Sequence, residues 1–205
     1  MPDIQYKYKT ISAQSSGVFR DRNSRFIAHA IPVNSEDDVR HELELLRKKY
    51  YDAKHHCYAY ILGPDKMRYR YNDDGEPSNS AGVHILGQIK SFDLTNVLIV
   101  VIRYFGGTKL GIPGLINAYR TASKLALENA DSLEKMVCTY IELLFSYPAM
   151  NDVMKVLKDA HAGIELQEFE LSCRMIITIP VSDVTTFLTR TGSIEHFKYN
   201  IIKTE

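Results

Sequence analysis

The longest purely apolar run in the chain, Val97 to Ile102, is six residues of mostly β-branched type. A strand with no polar position has no face to give to water, so it needs cover on both sides. It is also far short of the roughly 20 residues that a membrane span requires. The chain leaves this strand through Arg103 and Tyr104 and turns through a glycine-rich loop, Phe105 to Gly114, that holds Gly106, Gly107 and Gly111. Good helix formers then run from Leu115 to about Asn129. A buried strand, a glycine loop and a helix start together gather backbone N–H groups where an anion is favoured. Arg103 and Lys109 add fixed positive charge there, and Arg120 and Lys124 follow on successive helical turns. The stretch meets neither GxxxxGK[ST] nor GxGxxG, so no established nucleotide signature is present. Glycines that simply let a helix pack close to a sheet are the alternative reading of this loop.

Upstream, Val18–Arg20 and Arg25–Ala28 flank the turn formers 21–24, which predicts a hairpin. Ser35 with Asp38 approximates a capping box, and Val39, Leu43, Leu46 and Tyr50 recur at helical spacing. Strands are expected at Cys57–Leu62 and Met67–Tyr71, and Ser80 is placed to cap a helix through Ile85, Leu86 and Ile89. Downstream, Met136–Phe145, Ile164–Leu171, Arg174–Pro180 and His196–Ile202 read as strands. Helices are expected at Pro148–Ala160, stopped by Gly163, and after a cap at Ser182. That order is βαββαβ, a split βαβ unit of ferredoxin-like type. The reading is therefore α+β, with two domains at 1–130 and 131–205.

Composition matters here through charge. The chain has 25 basic and 25 acidic residues, a formal net of zero, which excludes attachment to nucleic acid by bulk positive charge. Residues 1–130 hold 18 basic and 14 acidic side chains, and residues 131–205 hold 7 and 11. The excess falls on 66–124, with eight basic residues against four acidic ones. A local basic face beside exposed tyrosines is a footprint for nucleic acid, and ordinary scatter of charge is the alternative. Three widely spaced cysteines offer no disulfide framework and fit a reducing compartment. The opening MPDIQYKYKT lacks the apolar stretch of a signal peptide. A cytoplasmic protein with no membrane association is expected.

Asn72 to Asn79 (NDDGEPSN) is nearly all turn formers and is expected to be an exposed loop. Its Asp74 and Glu76 suit either a hard cation or acid–base chemistry, or they are a solvated turn. His55 and Cys57 would share one strand face, but no third ligand has matching spacing, so no metal and no cofactor is assigned. No nucleophile elbow is present, and no catalytic residue is assigned.

The stretch DGEPSNSAGVHIL…VLIVVIRYFGGTKLGIPGLINAY, Asp74 to Tyr119, resembles the IMPACT/YigZ family in its DGEP, its RYFGG-x-KLG and the helix start that follows. His55–Tyr60 is similar to that family's H-x-C-aromatic-A-aromatic segment. Three departures stand out: Ser78-Asn79-Ser80 for a small Gly-Thr step, Pro113 for a glycine, and Asn117 for a usual arginine. The resemblance implies a first domain like the second domain of a small-subunit ribosomal protein, a fold shared with some small-molecule kinases. It implies a second domain like the last domain of elongation factor G. It also implies a link to translation, since eukaryotic members act in translational control under amino-acid starvation.

The expectation is a non-catalytic translation-associated protein that binds RNA or a ribonucleoprotein, such as the ribosome. Arg103, Lys109, Arg120 and Lys124 would contact phosphate, over Gly106, Gly107 and Gly111. Tyr104, Tyr119 or the tyrosines of Met67–Tyr71 would stack on bases. His55, Asp74 and Glu76 form a possible ligand or cation loop beside them. The acidic second domain would dock a protein partner. Two alternatives stay open: an enzyme acting on a phosphorylated small molecule or nucleotide with Mg²⁺, and a pure protein-interaction module.

Overall fold

The computed structural model describes residues 6–205. Residues 1–5, the start of the segment read as lacking an apolar leader, lie outside the described residues. The chain divides into two compact units, one of Tyr8–Lys135 and one of Met136–Glu205 with Tyr6 and Lys7. In chain order the first part runs β1 (Lys7–Ile11), β2 (Ser15–Asp21), β3 (Ser24–Pro32), α1 (Glu36–Lys49), β4 (His55–Leu62), β5 (Arg68–Asn72), α2 (Gly82–Ser91), β6 (Val97–Tyr104), α3 (Gly111–Glu128) and β7 (Ser132–Met136). The units part at 135/136 rather than 130/131, because β7 returns to pair with β1.

β6 is the middle strand of an antiparallel five-stranded sheet ordered β2-β3-β6-β4-β5. Its alternation divides the apolar run between two cores. Val97, Ile99 and Val101 join α2 and α3, while Leu98, Val100 and Ile102 join α1. The neighbours follow suit: Ala28, Ala30, Cys57 and Ala59 are small and face α2 and α3, and Ile27, Ile31, Tyr58 and Tyr60 face α1. Small side chains on one face let two helices lie close to the sheet. α1 starts on the expected capping box, in which the Asp38 N–H donates to Ser35 Oγ at 3.1 Å and Asp38 Oδ2 accepts from the Ser35 N–H at 3.0 Å.

Several local expectations are corrected. Ser80 does not cap α2; its hydroxyl donates to the Pro77 carbonyl at 2.6 Å. Asp73 caps instead, its Oδ1 accepting from the N–H of Ala81 at 3.0 Å and of Gly82 at 2.8 Å. α3 starts at Gly111 rather than Leu115, so the glycine loop is shorter than its composition suggests. Gly111 enters at φ +72°, a backbone that favours glycine, and Pro113 fits the first turn because N–H groups there lack intrahelical partners anyway.

The second unit runs β8 (Cys138–Phe145), a 3₁₀ turn at Tyr147–Ala149, α4 (Met150–Asp159), β9 (Gly163–Phe169), β10 (Cys173–Pro180), α5 (Val184–Thr191) and β11 (Lys198–Thr204). The antiparallel sheet order β11-β8-β10-β9 is that of a split βαβ unit. Inward residues Ile141, Leu143, Met175, Ile177 and Ile179 form its core with Val153, Leu157 and Phe187. Gly163 does not stop α4; it opens β9, and His161 takes the left-handed position at φ +49°. Asp183, not Ser182, stands at the start of α5, and it makes no side-chain cap bond. Among the described residues, no helix is long and apolar enough to cross a membrane.

Candidate functional site

Arg103 stands at position 103 because β6 keeps its alternation: after Val97, Ile99 and Val101 the next residue on the α2–α3 side is Arg103. Its neighbours across the sheet are Phe26 on β3 and His55 on β4. A cation carried into a core needs a counter-charge. Glu76 supplies it, with Arg103 Nη1 donating to Glu76 Oε1 at 2.6 Å and side chains only 9% and 3% exposed respectively. The same Oε1 accepts the Tyr119 hydroxyl at 2.8 Å from α3. The guanidinium lies between two rings, 5.5 Å from Phe26 and 5.6 Å from Phe105, and its buried Nε has no hydrogen-bond partner.

This overturns parts of the sequence reading. Tyr119 is fully buried and packs edge-on against Phe26 at 5.2 Å, so it cannot stack on a base. Burial, then the nearby Cys57 and Glu76, push its hydroxyl well above the usual tyrosine range. Glu76 is not in a solvated turn; it is held by Arg103 and Tyr119 and is not an open cation ligand. The Cys57 thiol sits 3.0 Å from the Asp73 carbonyl and 3.3 Å from the Tyr119 hydroxyl, and burial raises its pKa.

The loop NDDGEPSN is therefore pinned at several points. Asp74 Oδ2 accepts the His56 N–H at 2.7 Å, and the Asp74 carbonyl accepts from His55 Nδ1 at 2.8 Å. That bond fixes the His55 proton on Nδ1 in the neutral ring and leaves Nε2 as the basic nitrogen. Among the described residues, no group of three His, Cys, Asp or Glu side chains could hold a metal ion.

Above the Arg103–Glu76 pair lies a cavity of about 460 Å³. Lys54, His55, Arg103 and Lys109 bring nitrogen to it, Phe105, Leu110, Ile112 and Leu115 give apolar wall, and Gly111 opens α3 at its edge. Three cationic side chains thus meet one carboxylate. Lys54 and Lys109 are exposed and make no ion pair among the described residues. Gly106 shapes the approach: a Cβ there would fall on the Asn23 and Ser24 backbone, and its N–H donates to Ser24 Oγ at 3.1 Å. Gly107 turns beside it at φ +88°.

Of the residues expected in a site, His55, Glu76, Arg103, Lys109 and Gly111 line this one cavity. Tyr104 turns elsewhere and donates to Asp52 at 2.7 Å. Arg120 and Lys124 are exposed on α3, roughly 14 and 20 Å beyond Gly111 at helical rise. Lys124 also pairs with Glu128 at 3.4 Å. Tyr69 and Tyr71 are exposed on β5 and do not line the cavity. Lys54 and Phe105 line it as well, each next in sequence to an expected site residue, His55 and Gly106 respectively.

The model of the Impact N-terminal domain matches residues 22–127, which contain the whole cavity. The chain belongs to the IMPACT family. It is similar to IMPACT family member YvyE of Bacillus subtilis, 31% identical over 76% of this chain and 71% of that one. The IMPACT family member in the pol 5′ region of Thermus thermophilus is 33% identical over 78% and 86% of the two chains. Protein IMPACT of Oryctolagus cuniculus is 36% identical, over 44% of this chain and 30% of that protein. A crystal structure titled as that of a hypothetical protein superposes with a TM-score of 0.77 at 25% identity, covering 98% of this chain and 99% of that one.

Proposed function

We propose that this IMPACT family member is a non-catalytic, translation-associated protein of the cytoplasm whose Tyr8–Lys135 unit binds single-stranded RNA at the Arg103 cavity. The observation that carries the reading is the convergence of Lys54, His55, Arg103 and Lys109 on one cavity at the start of α3. Lys54 and Lys109 contact phosphate, as do the first N–H groups of α3. Arg103 adds charge, tempered by Glu76, and Phe105, which is 59% exposed, offers a face for a base. Arg120 and Lys124 extend the basic track along α3. The acidic second unit serves a protein partner.

The test is fluorescence anisotropy of the full chain with a labelled unstructured RNA across a salt series. Each phosphate contact to a single strand contributes about 0.7 to the slope of log affinity against log salt. Lys54→Ala with Lys109→Ala should flatten that slope by about 1.4, and Phe105→Ala should weaken binding with the slope unchanged. Absence of binding at low salt refutes the function, and indifference to all three substitutions refutes the site. The cavity volume also falls within the range of small-ligand pockets, about 300–1,000 Å³, which favours a phosphorylated small molecule as second reading. A large thermal shift with nucleotides, with or without Mg²⁺, in a protein that ignores RNA would establish that one.

A further inference from the structure

β5 is the outer strand of the five-stranded sheet and, among the described residues, pairs only with β4. All five of its residues are exposed. Its register with β4 runs without a break from Tyr58 opposite Asn72 to Leu62 opposite Arg68, so no bulge twists the edge away. No proline interrupts it. Every second residue of such a strand turns its N–H and C=O outward, a row of donors and acceptors open to another strand.

The side chains on the two faces differ. Arg68 and Arg70 stand opposite Leu62 and Tyr60, on the α1 side of the sheet. Tyr69 and Tyr71, 50% and 40% exposed, stand on the α2 side, with Lys90 Nζ 4.6 Å from the Tyr69 ring centre. Neither arginine has an ion-pair partner among the described residues. Two carboxylates near them are already engaged: Glu36 accepts the Tyr60 hydroxyl at 3.3 Å, and Asp65 accepts the Met67 N–H at 3.1 Å. The edge therefore carries two arginines on one face, tyrosines with Lys90 over one ring on the other, and is open along its backbone.

We propose that β5 binds an extended peptide by strand addition, with acidic side chains at alternate positions facing Arg68 and Arg70 and the intervening side chains packing on Tyr69 and Tyr71. Alternate residues of an added strand share one face about 7 Å apart, the same spacing as Arg68 and Arg70. Backbone pairing supplies affinity and the facing side chains supply selectivity. The surface is independent of the Arg103 cavity, whose lining includes no β5 residue. Arginines can instead be guards that keep an edge from pairing at all, and this rival is decided by experiment.

The probe is a labelled extended peptide alternating glutamate with valine or threonine, read by anisotropy against the full chain. Its controls are the same peptide with lysine for glutamate and one with alternate backbone nitrogens methylated. Saturable binding of the glutamate peptide is expected, with new exchange protection confined to β5. Arg68→Glu with Arg70→Glu should weaken it about tenfold or more and should transfer binding to the lysine peptide. That gain cannot come from misfolding. Lack of binding to the wild-type chain overturns the proposal and leaves the arginines as guards. Equal binding of the methylated peptide overturns strand addition. If the reversed variant loses RNA affinity while no peptide binds, the edge belongs to RNA.

Discussion

Removal of the Glu76 carboxylate tests whether the Arg103 pair is a structural keystone of the first unit. In Glu76→Ala the guanidinium loses its counter-charge in a place where its side chain is 9% exposed and its Nε already lacks a partner. The Tyr119 hydroxyl loses its acceptor as well. Breaking a buried pair from one side costs about 3–5 kcal/mol. Hydrogen exchange of the central β6 amides reads this, since a strand buried on both faces exchanges through the larger openings. The exchange rate there should rise by about 150- to 5,000-fold, at about 1.4 kcal/mol per decade. The variant Glu76→Leu/Arg103→Met/Tyr119→Phe removes every charge and hydroxyl of the cluster together, and should recover most of the loss because apolar replacement of a buried pair is close to neutral. A rise of less than about fivefold in Glu76→Ala, under about 1 kcal/mol, would refute the argument. So would a triple variant no better than the single one.

Asp73→Ala should fray the start of α2, because its carboxylate accepts from the N–H of Asn79, Ala81 and Gly82; exchange at Gly82–Ile85 should quicken before that of the rest of the helix. Gly106→Ala should lower the melting temperature more than Gly107→Ala, since a Cβ at 106 falls on the Asn23 and Ser24 backbone while at 107 it meets open space, leaving the strained φ of +88° as the cost. Burial, then Lys49, hold the His29 pKa below its ordinary value of about 6.5. The unfolded chain therefore takes up this proton first, and stability should fall as pH drops below about 6.5 until the folded ring also titrates. Burial moves His56 the same way, opposed by Asp74. His29→Gln should make urea midpoints less steep with pH over that window, and an unchanged slope would count against the assignment.

The β-branched run of β6 made the layered fold legible, because six apolar residues in a strand admit only a sheet covered on both faces. The capping box made the start of α1 legible, since its bonds span only three residues. What escaped depended on distance along the chain. Glu76 meets Arg103 across 27 residues and Tyr119 across 43. Nothing local distinguishes a glutamate in a turn from one folded back into a core. Arg103 itself could have been placed by carrying the alternation of β6 one step further, which puts it among Phe26 and Ala28 rather than in water. The start of α3 escaped because glycine and proline read as loop, although both suit a first helical turn here.

The pairing of β1 with β7, tied by the Ser12 N–H to the Asp131 carbonyl at 2.9 Å, brings the two ends of the Tyr8–Lys135 unit to one spot. A fold whose entry and exit adjoin is portable. It can be spliced into a host loop, fused at either side, or closed on itself with a short linker and reopened elsewhere, because none of these operations has to stretch across the body. Reopening it at the Gly63–Lys66 turn, which splits the β4–β5 hairpin and leaves β6 whole, should give a chain that still assembles the sheet around β6.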